Sequence, residues 1–437
     1  MLNYLHAHIN KVFLSIVFIA TVWIATNLNS VHNYNYVFHY DSEGYQMYLP
    51  ALFLNGGFEN LFVKTTDLDG GKYSKPYPNT DKVFNKYTCG VSILELPFFL
   101  LAIVYGLLFG LDNITGYEPH FSIATITATA FYLTVAFHFL IKILNKHTKK
   151  NYVSLVVVSV VWLGTNLFHY TTKSPGLSHP FSIFLFVMFI YFTQIYYEEN
   201  SLRYLLKLAF IFGLIVLIRP TNAIVFIYFL FYNVSSLKEI YNRFVHWIKH
   251  IKHIIFFPVI AFLVFLPQLF YWKYVSGSWL IYSYKGEGFI YWKSPMLPEI
   301  WYHPQNGFFL YSPLMLLSIF GLALTIKKKH FNSVQILIIL LIQSYLCASW
   351  SSWNFTGSFG YRPFIEYLAF MAIPMEYMLE YLMLKSGVLL KVISLGSVVF
   401  FLFLSVRLSM VYTWPWEGPD WGWDDVLRVY LQALFIN

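Results

Sequence analysis

VFLSIVFIATVWIAT, residues 12–26, is followed after a short polar stretch by HYDSEGYQMYLP, residues 39–50. The first run holds no charge. The second places His39, Asp41 and Glu43 just beyond its end. An apolar run of this kind suits the interior of a lipid bilayer, whose hydrocarbon core takes roughly 20 residues of helix. The acids would then stand at the membrane surface. The first run has Lys11 before it and no small-residue cleavage pattern after it, so it reads as a retained first span.

Similar runs recur at 91–110, 121–144, 152–168, 181–197, 205–218, 222–232, 254–271, 308–326, 334–348, 364–384 and 388–410. The whole chain of 437 residues is 58% hydrophobic, 21% aromatic and only 11% charged, against about a quarter charged in soluble domains. Backbone polar groups in hydrocarbon must be satisfied internally, and no barrel-like alternation is visible, so the spans are expected to be helices. The expectation is an all-α polytopic membrane protein: one integral membrane domain, 1–437, with 11–13 spans. Residues 30–88 form its first outer loop and 273–307 an aromatic outer loop.

The net charge of +8 does not point to nucleic acid. Lys146, Lys149 and Lys150, then Lys238, Arg243, Lys249 and Lys252, then Lys327, Lys328 and Lys329, and finally Lys385 and Lys391 cluster in short loops. That is the distribution that holds loops on the cytoplasmic side. With these loops inside, HYTTKSPGLSHP (169–180), the Arg219-Pro220 turn, WKYVSGSWLIYSYKGEGFIYWKSP (272–295), ASWSSWNFTGSFGYRPFIE (348–366) and WPWEGPDWGWDD (414–425) fall outside. One conflict remains. A full crossing by 91–110 would carry Lys146 to the outer side, so either the Leu96-Pro97 break makes that segment re-entrant or the Arg219-Pro220 stretch is one broken crossing.

Within 41–53, Tyr45, Tyr48, Leu49, Leu52 and Phe53 share a helical face, which predicts a short interfacial helix with Asp41 or Ser42 as N-cap. Capping needs one short polar residue, whereas His39, Asp41 and Glu43 gather here. Arg219 follows an apolar run directly, a costly place for a cation without an anionic partner or water. Arg362 precedes Glu366 by four residues, the spacing of an intrahelical ion pair. Lys173 and His179 lie in a Ser/Pro/Gly-bearing loop and read equally as solvated residues. Lys285 and Glu287 flank Gly286 in a turn. Two arginines facing a carboxylate cluster suit a phosphate-bearing ligand, with His39, Lys173, His179, Arg219, Arg362 and Glu366 as candidate contacts and Asp41 and Glu43 as candidate catalytic acids.

Other signals are weaker. No phosphate-binding loop, dinucleotide fingerprint or HExxH is present. Asp67, Asp69 and Gly70 read as a turn, not a calcium loop. Asn113 and Asn354 head glycosylation-like triplets. Cys89 and Cys347 make no metal or redox motif; a disulfide is one option and two buried thiols the simpler one. Trp272, Trp279, Tyr282, Tyr284, Tyr291, Trp292, Trp301, Trp350 and Trp353 fit an interfacial aromatic belt, a subset of which could stack on sugar rings.

HYDSEGYQMYLP after the first span, GLIVLIRPTN (213–222) in the middle and WSSWNFTGSFGYRPFIE (350–366) near the end together resemble the GT-C membrane glycosyltransferases. These include protein O-mannosyltransferases and bacterial aminoarabinose and lipopolysaccharide sugar transferases. The resemblance covers most of the chain at the level of architecture. It implies a GT-C-like bundle, a polyprenyl-phosphate sugar donor, a lipid, glycan or protein acceptor, and an active site on the outer, periplasmic face of the inner (plasma) membrane. Asp41 would be the catalytic carboxylate, Glu43 its support, and Arg219 a neighbour of the donor phosphate. No cofactor is implied; the DSE motif is a near variant of the DxD-type acids with which some members hold a divalent cation, so that point stays open. The competing readings are a transporter of lipid-linked sugars, for which Glu95 beside Pro97 speaks, and a non-catalytic membrane assembly protein.

Overall fold

The computed structural model describes every residue except 1, 32, 35, 36, 40, 59–73, 79, 81, 113, 149, 285, 329–331, 414, 415, 417–419, 436 and 437, with backbone alone at 2–5 and 74–76. Asp67, Asp69, Gly70, Asn113, Lys149, Lys285 and Lys329 therefore lie outside the described residues.

Helices make up almost all of the regular structure; the one described sheet is a two-stranded ribbon, β1 (Ser74–Pro76) against β2 (Val83–Asn85). Six described helices are long and apolar enough to cross a membrane, and four shorter apolar ones accompany them. Their outward faces are bare hydrocarbon: Val12, Ile16, Ile19 and Trp23 on the first, Val388, Leu389, Val392 and Val399 on the last long one. That surface is the one a bilayer covers.

Polar ties fix how the helices run. α1 (Leu2–Ser30) leads to the short α2 (Asp41–Gln46) and α3 (Tyr48–Phe53), then α4 (Gly90–Leu108), α5 (Pro119–His147), α6 (Asn151–Leu163) and α7 (Leu167–Thr172). Asn10 and Asn151 exchange side-chain hydrogen bonds at 3.1 and 2.7 Å, and Asn145 donates to Asn151 at 2.9 Å. At the opposite end Asn29 donates to the Thr172 carbonyl at 3.1 Å. α1 and α5 are thus antiparallel, and α6 with α7 leads back beside α1. α8 (Ser178–Glu199) runs with α5, tied by Lys146–Glu198 at 2.9 Å, and α9 (Leu202–Ile218) returns.

α4 behaves differently. The Tyr132 hydroxyl donates to the Leu94 carbonyl at 2.7 Å, and Tyr105 lies 5.8 Å from His120, ring to ring. α4 therefore begins midway along α5 and ends beside its start, the end from which the chain came. It never reaches the Asn10–Asn151 end. The re-entrant option is the one this geometry favours, and the conflict over Lys146 disappears. Gly90, at the head of α4, touches α9: a Cβ there would sit 2.6 Å from Ile218 Cγ1 and 2.9 Å from its backbone nitrogen.

After α9 a 3₁₀ turn (Pro220–Val225) and α10 (Phe226–Leu230) lead to α11 (Leu237–Lys249), a helix with Lys238, Arg243 and Lys249 and no buried residue. α12 (Ile251–Ile254) and α13 (Phe256–Ser276) follow, then α14 (Leu297–Tyr302), α15 (Phe308–Tyr311), α16 (Leu316–Lys327) and α17 (Ser333–Ser349). α18 (Leu368–Glu380), α19 (Val388–Val411) and α20 (Trp423–Phe435) complete the chain. Lys146, Lys249 and Lys327 stand in the last turns of α5, α11 and α16, at the end remote from residues 41 and 219. Cys89 and Cys347 are both buried and unbridged.

Candidate active site

The helix expected after residue 41 forms in two pieces, and α2 is buried in five of its six residues. Only Leu52 and Phe53, in α3, face outward. A local turn, not the acid, sets the start: the Ser42 hydroxyl accepts from the His39 N–H at 2.8 Å and donates to the His39 carbonyl at 2.6 Å. Asp41 is thereby left free of capping. Its Oδ1 accepts from the Tyr87 hydroxyl at 2.5 Å, and its Oδ2 meets Arg362 Nη1 at 3.1 Å. Gly44 makes the first contact possible, because a Cβ there would collide with the Tyr87 ring. Asn85 holds the same ring in place, accepting from the Tyr87 N–H at 2.9 Å and donating to the Gly44 carbonyl at 2.6 Å.

A second carboxylate lies beneath. Glu366 is fully buried and receives Arg219 Nη1 at 3.1 Å, His179 Nδ1 at 3.0 Å and Asn222 Nδ2 at 3.4 Å. A carboxylate only accepts here, so Nδ1 of His179 carries the proton. Tyr367 donates to Asn222 Oδ1 at 3.0 Å and extends the network.

The expected Arg362–Glu366 pair along one helix is not formed. Residues Arg362–Phe364 make a 3₁₀ turn and α18 begins only at Leu368, so the i,i+4 geometry is never realised. Each instead takes a distant partner, Arg362 taking Asp41 and Glu366 taking Arg219.

Asp41, Arg219 and Arg362 all line one cavity of about 600 Å³, within the range of small-molecule sites. Its walls come from the first outer loop (Tyr45, Lys86, Tyr87, Thr88), the end of α13 (Trp272), the aromatic loop (Tyr282, Tyr284, Glu287, Phe289), α17 (Gln343, Leu346, Cys347) and the segment after it (Trp350, Phe355). Lys86 pairs with Glu287 at 2.5 Å and stands 4.5 Å over the Tyr284 ring, tying the first outer loop to the aromatic one.

Burial alone would raise the Asp41 carboxyl, but the Arg362 guanidinium and the Tyr87 hydroxyl outweigh it and hold Asp41 below its ordinary value. Burial would likewise raise Glu366, and Arg219 and His179 reverse it.

Four of the expected site residues stand elsewhere. Lys173 donates to the carbonyls of Met410 and Tyr412 at 3.0 and 3.1 Å, closing the end of α19, and burial lowers its amine to about 8. Glu43 is buried on the side of Tyr117, away from the cavity wall. His39 contributes its backbone to the Ser42 turn, and His179 reaches the site only through Glu366. Sequence reading missed Tyr87, Lys86, Asn222 and Gln343. None stands out from the many tyrosines and amides of the chain, although Lys86-Tyr87 does follow the charged strip that precedes Cys89. Among the described residues no group of three or more His, Cys, Asp or Glu side chains could hold a metal ion. No family model matches the sequence, and no curated protein or solved structure matches it either.

Proposed function

We propose that the chain is a GT-C-like glycosyltransferase of the cell's inner (plasma) membrane, moving a sugar from a polyprenyl-phosphate donor to a hydroxyl acceptor on a lipid, glycan or protein. The observation that carries this reading is the convergence of one carboxylate, Asp41, and two arginines, Arg219 and Arg362, on the wall of one aromatic-lined cavity. In a single inverting displacement the acceptor oxygen attacks the anomeric carbon. The bond from that carbon to the phosphate oxygen breaks, and polyprenyl phosphate departs with the electron pair. The acceptor's proton passes to Asp41. The phosphate is already a good leaving group, so what it needs is cationic company, and guanidinium fits its geometry. Fixed charges in a partly dry cavity stabilise developing charge better than water does.

The topology belongs to the same proposal. α1, α5, α6 with α7, α8, α9, the 220–230 segment, α13, the 308–327 segment, α17, α18 and α19 make eleven transits, α4 making none. That places the basic loops inside and the cavity at the outer boundary, where a lipid-linked headgroup lies.

The test compares purified wild type with Asp41→Asn, using radiolabelled polyprenyl-phosphate sugars and a membrane extract as acceptor. Transfer should fall by 10²-fold or more, the scale of lost base assistance, with the fold intact. Equal transfer by both proteins removes Asp41 from the chemistry. A transporter of lipid-linked sugars is the second reading, favoured by Glu95, buried in α4 with Oε1 unpartnered among the described residues. No transfer by wild type across a broad donor panel would select it.

A further inference from the structure

Three cations face the cavity, and each is already matched by a carboxylate: Arg219 by Glu366 at 3.1 Å, Arg362 by Asp41 at 3.1 Å and Lys86 by Glu287 at 2.5 Å. The first pair is anchored, with Glu366 wholly buried. The other two face the cavity openly, with side-chain exposures of 18% and 20% for Arg362 and Asp41 and 26% and 33% for Lys86 and Glu287. An anion entering this cavity finds no unmatched positive charge. It must take one from a carboxylate.

Asp41 itself is held at both oxygens, by Tyr87 and by Arg362. Each oxygen keeps a second lone pair, so geometry does not exclude a third partner. What the ion pair removes is basicity, because an adjacent guanidinium favours the charged carboxylate over its protonated form. A base so stabilised is a poor acceptor of a hydroxyl proton.

We propose that the Asp41–Arg362 ion pair is a latch opened by the donor: the donor's phosphate takes the Arg362 guanidinium, and the Asp41 carboxylate so released then serves the acceptor hydroxyl. This rests on the glycosyltransferase reading and adds to it an order, donor before acceptor. A sugar phosphodiester carries one negative charge at any working pH, so it replaces Asp41 on Arg362 charge for charge. Without donor, Asp41 stays paired and an acceptor alone, or water, is not activated.

The consequence is a binding result opposite in sign to an ordinary site mutation. With farnesyl phosphate as probe at fixed neutral pH, and farnesol as its uncharged control, Asp41→Asn should bind about tenfold tighter than wild type, because Arg362 has lost its competitor. Arg362→Gln should bind about tenfold more weakly. In the Arg362→Gln background, Asp41→Asn should change affinity by less than about twofold. That last arm separates displacement from simple repulsion, since a bystander carboxylate would repel the phosphate in either background. Tyr87→Phe leaves every charge in place and should bind as wild type does. Equal tightening by Asp41→Asn in both backgrounds, no tightening in either, or tightening by Tyr87→Phe overturns the latch while leaving the function standing. Wild type that binds farnesyl phosphate no better than farnesol overturns the function and the latch with it.

Discussion

Arg219 and Arg362 each hold a carboxylate at 3.1 Å, yet the two pairs are built for opposite purposes. Glu366 has no exposed surface and its oxygens are shared among Arg219, His179 and Asn222. Asp41 has one cation, one hydroxyl and an open cavity beside it. A buried charge is tolerable only when every lone pair is used, and its loss strands the partners in a dry place. A half-exposed pair can exchange its partner for water or a ligand at little cost. The same two residue types thus make a fixture below and a working contact above.

The most severe way to break that comparison is Glu366→Ala. It should cost about 3–5 kcal/mol of stability by leaving Arg219 and His179 without their acceptor, seen as a large drop in the thermal midpoint of the purified protein. Asp41→Asn should hardly move that midpoint. If the two variants melt alike, the division between fixture and working contact is wrong.

A gentler probe is pH. Arg362 and Tyr87 hold the Asp41 carboxyl below its ordinary value in the empty protein, so its ionised form persists further into acid. The acid limb of kcat/KM, which reports the free enzyme, should therefore lie below the usual carboxylate range. Once donor has drawn Arg362 away, the carboxyl rises again, and the acid limb of kcat should fall at higher pH than that of kcat/KM. Coincident limbs would mean Arg362 never leaves. The smallest effect belongs to Lys173→Met. Loss of a cation at the end of α19 should cost up to about 1 kcal/mol of stability and leave donor affinity unchanged; a loss of donor affinity would return Lys173 to the site.

How much of this was legible depends on what each residue's cost reveals. A charge set against an apolar run is expensive wherever the chain folds, so Asp41, Arg219, Arg362 and Glu366 stood out before any contact was known. Their pairing did not, because partners are set by tertiary approach. Spacing suggested Arg362 with Glu366, and the break between the 3₁₀ turn and α18 undid it. Lys173 stood out for the same reason as the arginines but does a local job at a helix end. Tyr87 carried no such signal: a tyrosine costs little anywhere near an interface, and its role follows only from Gly44 leaving room for it. The apolar runs were likewise plain, while the depth of α4 was not, since hydropathy measures affinity for lipid and not how far a helix travels.

That half-depth helix bears on how the protein is made. α4 has the length and hydropathy of an ordinary crossing, and during synthesis it emerges before α5, the helix whose Tyr132 holds Leu94. A nascent chain ending just past Leu108 lacks that tether and has every reason to insert α4 straight across. Reporter fusions made there would record a topology opposite to that of the finished protein. Residues 109–118 change sides only when α5 arrives, so the correct orientation of everything downstream is decided by a later helix correcting an earlier one.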